Sequence, residues 1–365
     1  MRVVPDLTIV VPTFNERANI RPLVGLLDAA LPGIVWEVVF VDDDSPDGTA
    51  EEVRALAAAD PRVRVLHRIG RRGLAGATIE GMLSSTAPLV AVMDADLQHD
   101  ESRLAVMVAM LHDDPALDLV IGSRNVAGGS AEGGFSALRK RISDAATLLA
   151  RRILRVTARD PMSGFFMLRR ARFNEVVTRL QPEGFKVLLD ILSSSRGRWR
   201  VAEVPYGFRA RQFGTSKLDS AVAFEFMALV VARATGGLVS IRFVLFALVG
   251  LSGVLVQLAA LRLMLWLATD AFLIAQFVGV WAAMTTNFLL NNLLTYRDRA
   301  LRGAALLRGL MSFYGVCAIG AAANVGVAGA VHAALPQPEL ASVTGAVVGA
   351  LWNFLASSAV TWKAR

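Results

Sequence analysis

The chain has 365 residues, 54% of them hydrophobic, and a formal net charge of +7. That length allows a full α/β domain plus a second unit, and the lone cysteine, Cys317, excludes an internal disulfide and any multi-cysteine metal site. A basic balance can serve nucleic acid, solubility or a lipid surface; beside long apolar stretches, anionic lipid head groups are the expected partner and nucleic acid is not.

Residues 1–6 carry no basic-apolar-small leader, so the first half is expected in the cytosol. Residues 7–11 predict a strand and 18–30 a helix. Strands at 36–41, 62–67, 89–93 and 117–122 follow, with helices near 49–59 and 75–85. Strands alternating with helices predict a mostly parallel sheet covered on both faces, with ligands at the carboxyl ends of the strands. The polar clusters fall at those ends: Pro12-Thr13-Phe14-Asn15-Glu16, then Asp42-Asp43-Asp44-Ser45, then Asp94-Ala95-Asp96-Leu97-Gln98, then Gly122-Ser123-Arg124.

Asp94 and Asp96 are spaced to reach one divalent cation, with Gln98 as a further oxygen ligand. Hard oxygen donors suit Mg²⁺ or Mn²⁺, which would bridge a diphosphate. Solvated turn carboxylates are the alternative. A carboxylate at Asp43 can accept from a base or ribose, or cap the next helix. Arg211 and Lys217 flank a polar loop suited to phosphates, as does Arg124; plain surface cations are the alternative. Residues 125–135 predict a loop, and 138–156 interleave basic and apolar residues, as in a helix at a membrane surface or one packed on the sheet.

Four apolar stretches follow, at about 242–268, 272–296, 307–335 and 340–362, each long enough to cross a bilayer. Arg297, Arg299, Arg302 and Arg308 fall between the second and third, whereas the other two connectors lack Lys and Arg. The positive-inside rule then puts both termini and the middle connector in the cytosol. Asn287-Phe288-Leu289 with Thr295-Tyr296-Arg297 recurs as Asn353-Phe354-Leu355 with Thr361-Trp362-Lys363 at identical spacing, so two helical hairpins are expected. Asn287 and Asn353 are expected to hydrogen-bond between helices.

On these motifs, and on Asp160-Pro161-Met162-Ser163-Gly164-Phe165, the first half resembles the dolichol- or polyprenyl-phosphate mannosyltransferases of the GT-A, family 2 glycosyltransferases. The second half resembles the GtrA-like four-helix family. The resemblance implies a Rossmann-like GT-A catalytic domain over 1–215, an interfacial helix over 216–240 and a multi-pass membrane domain over 241–365. It implies contacts to a nucleotide sugar at Pro12, Phe14, Glu16, Val41, Asp43, Asp94, Ala95, Asp96, Gln98, Arg124, Arg211 and Lys217. It implies metal at Asp94, Asp96 and Gln98, and acceptor phosphate at Arg124, Arg139 and Ser143. Phe14 stands where the family has Tyr, and Asp44 where it often has Gly.

The expected reaction is inverting, metal-dependent transfer of mannose from GDP-mannose to a polyprenyl phosphate at the cytosolic membrane face. UDP-glucose with undecaprenyl phosphate is the other donor–acceptor pair considered. A lipid-sugar flippase or scaffold with an inactive transferase half is the alternative from another class.

Overall fold

The computed structural model of the chain describes residues 4–131, 156–182, 186–209, 231, 235, 239–267, 272–335 and 338–363. Two units divide it, Met1–Gly237 and Leu238–Arg365. In the first, strands and helices alternate: β1 (Leu7–Thr13), α1 (Arg17–Ala30), β2 (Trp36–Asp42), α2 (Thr49–Ala57), β3 (Val63–His67), α3 (Leu74–Leu83), β4 (Leu89–Val92), α4 (Arg103–Asp113) and β5 (Leu119–Ser123). After the short β6 (Ser130–Ala131) come β7 (Phe166–Arg169), α5 (Arg170–Val176), α6 (Val187–Ser195), β8 (Val201–Pro205) and β9 (Gly207–Phe208).

Seven strands form one sheet in the order β3-β2-β1-β4-β7-β5-β8. All run parallel except β7, which is antiparallel to both β4 and β5. The hydrophobic runs of β1 and β2 are continuous because both sheet faces are covered. Leu7, Ile9 and Val11 join Ile20, Leu23 and Leu27 of α1 and Leu104, Met107 and Leu111 of α4 in one core. On the other face α3 lies close to the sheet at Gly81, where a Cβ would come within 2.4 Å of Val10 Cγ1 and 2.8 Å of Val41 Cγ2. Ser85 Oγ, just beyond α3, donates to Thr8 Oγ1 at 2.7 Å on that same face.

Neither β7 nor β8 was evident from strand–helix alternation. β7 follows the 160–165 turn directly and pairs antiparallel with both β4 and β5. The Gly122 N–H donates to the Phe165 carbonyl at 2.9 Å. This return brings residues 162–164 to the edge where β4 ends, which a purely parallel winding would leave empty.

The second unit contains α7 (Ile241–Leu267), α8 (Phe272–Leu290), α9 (Ala304–Ala334) and α10 (Pro338–Ala356). Two stretches, Ile241–Leu267 and Ala304–Asn324, are long and apolar enough to cross a membrane. α8 and α10 each run on into one π-helical turn, Asn291–Thr295 and Ser357–Thr361. The sequence repeat has a structural counterpart here. Tyr296 and Trp362 stack on one another, 4.2 Å apart and 6° from parallel. The Tyr296 hydroxyl meets Ser358 Oγ at 2.7 Å, while Trp362 Nε1 donates to Asn292 Oδ1 at 3.0 Å. Asn292 and Ser358 are themselves equivalent positions, so the two halves exchange reciprocal contacts.

Asn287 and Asn353 do face the neighbouring helix, at Gly253 and Gly320, where a Cβ would overlap the amide. The expected interhelical hydrogen bonds are not made by their oxygens: both Oδ1 atoms are buried without a partner among the described residues. The glycines bring the helices so close that the amides pack against backbone rather than against a donor.

Candidate active site

The carboxyl ends of β1, β2, β4 and β5 lie along one edge of the sheet, and each delivers polar groups there. Asp42 organises the β2 end. Its Oδ1 accepts from Thr13 Oγ1 at 3.2 Å and Ser45 Oγ at 2.6 Å, and its Oδ2 from the Ser45 N–H at 3.0 Å. Asp47 serves the start of α2, accepting from the Thr49 N–H at 3.0 Å. Of the four acids at this end, Asp42, Asp43, Asp44 and Asp47, it is Asp42 and Asp47 that serve the turn and the start of the helix.

Asp43 is buried, and both its oxygens are engaged: Oδ1 accepts from Arg68 Nη1 at 2.6 Å and Oδ2 from the Gly73 N–H at 2.6 Å. Burial raises its pKa although Arg68 and Gly73 pull the other way. It thereby fixes the β3–α3 connection, from which Arg72 lays its guanidinium 4.3 Å over the Phe14 ring. Asp44 has φ +57, the left-handed conformation that glycine adopts most readily. Here its carboxylate uses that geometry to reach His67 Nε2 at 3.0 Å and the Gly70 N–H at 3.2 Å.

β4 ends at the acidic pair. Asp94 is 42% exposed at its side chain, whereas Asp96 is buried and accepts from the Gln98 N–H at 3.2 Å. Between them and Gln98 the chain turns through Leu97 at φ +61, an uncommon conformation for a branched side chain. Gln98 Nε2 donates to the Arg209 carbonyl at 2.9 Å, and the Arg209 N–H donates to the Gln98 carbonyl at 2.9 Å. The Arg209 guanidinium grips Glu101 at 2.9 Å. The acidic turn is thus tied to the chain just beyond β9.

Arg124 follows β5. Its Nε donates to Asp160 Oδ2 at 2.9 Å and its Nη2 to Asp160 Oδ1 at 3.2 Å, and the guanidinium lies 5.4 Å over Phe208. Burial would lower its pKa, but the Asp160 carboxylate outweighs burial and pushes it up. Asp160 is held in turn by its N–H donating to Glu203 Oε1 at 3.0 Å. His99, fully enclosed, has its pKa brought down to about 4 by burial.

Beside Asp94 is a small, open cleft whose walls include Pro12, Thr78, Met162, Gly164 and Lys186. Gly164 lies close by: a Cβ there would stand 3.0 Å from Asp94 Oδ2 and press on the carboxylate. Sequence reasoning passed over Lys186. A lysine at the N-cap of α6 opposes the helix dipole, but nothing in the local sequence ties it to the end of β4.

The structure brings Pro12 and Asp94 into one cleft and puts Asp96, Gln98 and Arg124 at neighbouring strand ends. Phe14 and Glu16 lie after β1, where Glu16 Oε2 accepts from Asn19 Nδ2 at 2.6 Å. Val41 and Ala95, expected to touch the nucleotide sugar, are buried, Val41 completely. Arg139, Ser143, Arg211, Lys217 and the predicted interfacial segments lie outside the described residues. Asp94, Asp96 and Gln98 offer hard oxygen donors. Among the described residues no group of three or more His, Cys, Asp or Glu forms an all-protein cage. Such a partial set suits Mg²⁺ or Mn²⁺, which take phosphate oxygens and water to complete their shell.

Residues 8–177 match Glycosyl transferase family 2, and residues 245–362 match the GtrA/DPMS transmembrane domain. The dolichol-phosphate mannosyltransferase of Pyrococcus furiosus is 35% identical over 326 residues, 87% of this chain and 88% of that protein. The undecaprenyl-phosphate mannosyltransferase of Micrococcus luteus is 33% identical over 221 residues, 59% of this chain and 88% of that protein. Among solved structures, glucosyl-3-phosphoglycerate synthase from Mycobacterium tuberculosis in complex with uridine diphosphate has a TM-score of 0.50 at 20% identity. It covers 63% of this chain and 80% of that one, and the likeness establishes the GT-A fold.

Proposed function

The chain belongs to the polyprenyl-phosphate mannosyltransferases of glycosyltransferase family 2 that carry a GtrA-like membrane domain, and from that premise we propose that it transfers mannose from GDP-mannose to a polyprenyl phosphate at the cytosolic membrane face. The observation that carries this reading is the acidic pair Asp94 and Asp96 at the end of β4, with Asp94 lining a cleft, in a chain with 35% identity to a dolichol-phosphate mannosyltransferase over 87% of its length.

Asp94, Asp96 and Gln98 would hold the metal, which when bound neutralises the donor diphosphate as it leaves. The acceptor is a phosphate monoester, already anionic near neutral pH, and needs no general base. The protein has only to align its oxygen with the anomeric carbon and to balance negative charge. Arg124, locked by Asp160, presents a pre-formed fork to a phosphate at little further entropic cost. Lys186 adds a cation at the cleft beside Asp94, and Arg211, Lys217, Arg139 and Ser143 are assigned to the donor and acceptor phosphates from the family pattern. Single displacement inverts the anomeric centre, so an α-linked donor gives a β-linked lipid product.

The four helices of the second unit are assigned as four spans with both termini and the 297–302 connector in the cytosol. The test of the donor is transfer of radiolabel to lipid extract from GDP-mannose and from UDP-glucose in parallel. Label from GDP-mannose alone is expected; label from UDP-glucose alone overturns the assignment.

A further inference from the structure

We infer that His99 is a positioning residue for Asp94, its imidazole setting the orientation in which that carboxylate meets a divalent cation. The inference rests on the reading of Asp94 as a metal ligand. His99 closes the stretch that begins at β4, yet none of the chemistry above uses it.

Its ring is 2% exposed and locked by aromatic neighbours. Phe165 stacks on it at 5.2 Å and 14°, while Tyr206 and Phe208 bound it edge-on at 5.7 Å and 5.8 Å. In that fixed pose Nδ1 accepts a hydrogen bond from the Asp94 N–H at 3.2 Å. An accepting Nδ1 carries no proton, so the neutral ring carries its proton on Nε2. Nε2 lies 3.8 Å from Asp94 Oδ2, beyond hydrogen-bond length but close enough for the N–H dipole to attract the carboxylate. One imidazole therefore addresses Asp94 at its main chain and at its carboxylate.

Gly164 approaches the same oxygen, where a Cβ would stand 3.0 Å away. The turn between the two partners includes Leu97 in its left-handed conformation, and strained turns persist only where surrounding contacts over-determine them. The Asp94–His99 bond is one such contact. Side chains that orient metal ligands commonly govern affinity by about 10–100-fold when replaced.

The test uses full-length protein in lipid nanodiscs, with Mn²⁺ binding read by paramagnetic resonance in the presence of GDP, together with thermal melting. His99→Phe keeps the aromatic stack and removes both nitrogens; its Mn²⁺ affinity should fall by about 10–100-fold. His99→Asn restores an acceptor for the Asp94 N–H and gives up the stack. It should melt lower than His99→Phe yet bind Mn²⁺ close to the native value. Native affinity in His99→Phe overturns the inference. If that variant does not fold, loss of Mn²⁺ in folded His99→Asn as great as in Asp94→Asn overturns it instead. Asp94→Asn separates the two claims: native Mn²⁺ binding there removes the metal reading itself, whereas lost binding there with native binding in His99→Phe removes only the role of His99.

Discussion

Arg124 illustrates how one side chain is prepared before any ligand arrives. Two hydrogen bonds to Asp160 and the face of Phe208 fix its guanidinium, and Glu203 fixes Asp160. Arg124→Lys keeps the charge and loses the fork. We expect about a 10–100-fold fall in kcat/KM for the lipid phosphate. Steady-state kinetics with each substrate varied in turn would show it, and an effect confined to the donor would contradict the assignment. Asp94→Asn and Asp96→Asn should each lower kcat by about 10²–10³-fold while the protein keeps its native melting profile. Their single-turnover rates at saturating Mn²⁺ measure this. The acidic pair was legible in the sequence because it directly follows a five-residue apolar run, Leu89 to Met93. The Arg124–Asp160 pair was not, because its members are far apart along the chain and meet only once β7 returns to the sheet.

At the scale of elements, the site depends on how closely α3 approaches the sheet. Gly81 permits that approach, with no space for a methyl group between the helix and Val10. Gly81→Ala should destabilise the first unit by about 1–3 kcal/mol through overpacking, lowering Tm without altering the expected acceptor specificity. Thermal melting followed by near-ultraviolet dichroism would register it; an unchanged Tm would mean that α3 shifts freely. The β2 end follows the same logic. Asp42 and Asp47 satisfy turn and helix donors, which leaves Asp43 and Asp44 to tie in the β3–α3 connection. The run of three acids announced a loaded turn, but a sequence cannot divide such a run among its partners, since each partner comes from a different element.

At the scale of the molecule, two units of different character share one chain. The reciprocal Tyr296–Ser358 and Trp362–Asn292 contacts match the sequence repeat, and they join two hairpins of equivalent build. If the 297–302 connector lies in the cytosol, a cysteine there should react with an impermeant maleimide only after the membrane is opened. The background for Arg302→Cys is Cys317→Ala, since the chain has a single cysteine. Labelling of intact cells would reverse the proposed topology.

The sequence by itself determined the parallel α/β start, the strand ends that carry polar groups, the apolar second half and its internal repeat. These are local or periodic properties: burial on both faces makes a strand continuously apolar, and a helix in lipid must be apolar along its length. Tertiary structure alone decided that β7 runs against its neighbours and that Gly164 abuts Asp94. It alone decided that Lys186 shares the cleft, that Gln98 is tied to Arg209, and that the Asn287 and Asn353 oxygens pack against glycine instead of a donor. Each of these depends on two segments distant in the chain arriving at one place, and neither segment records its partner in its own composition.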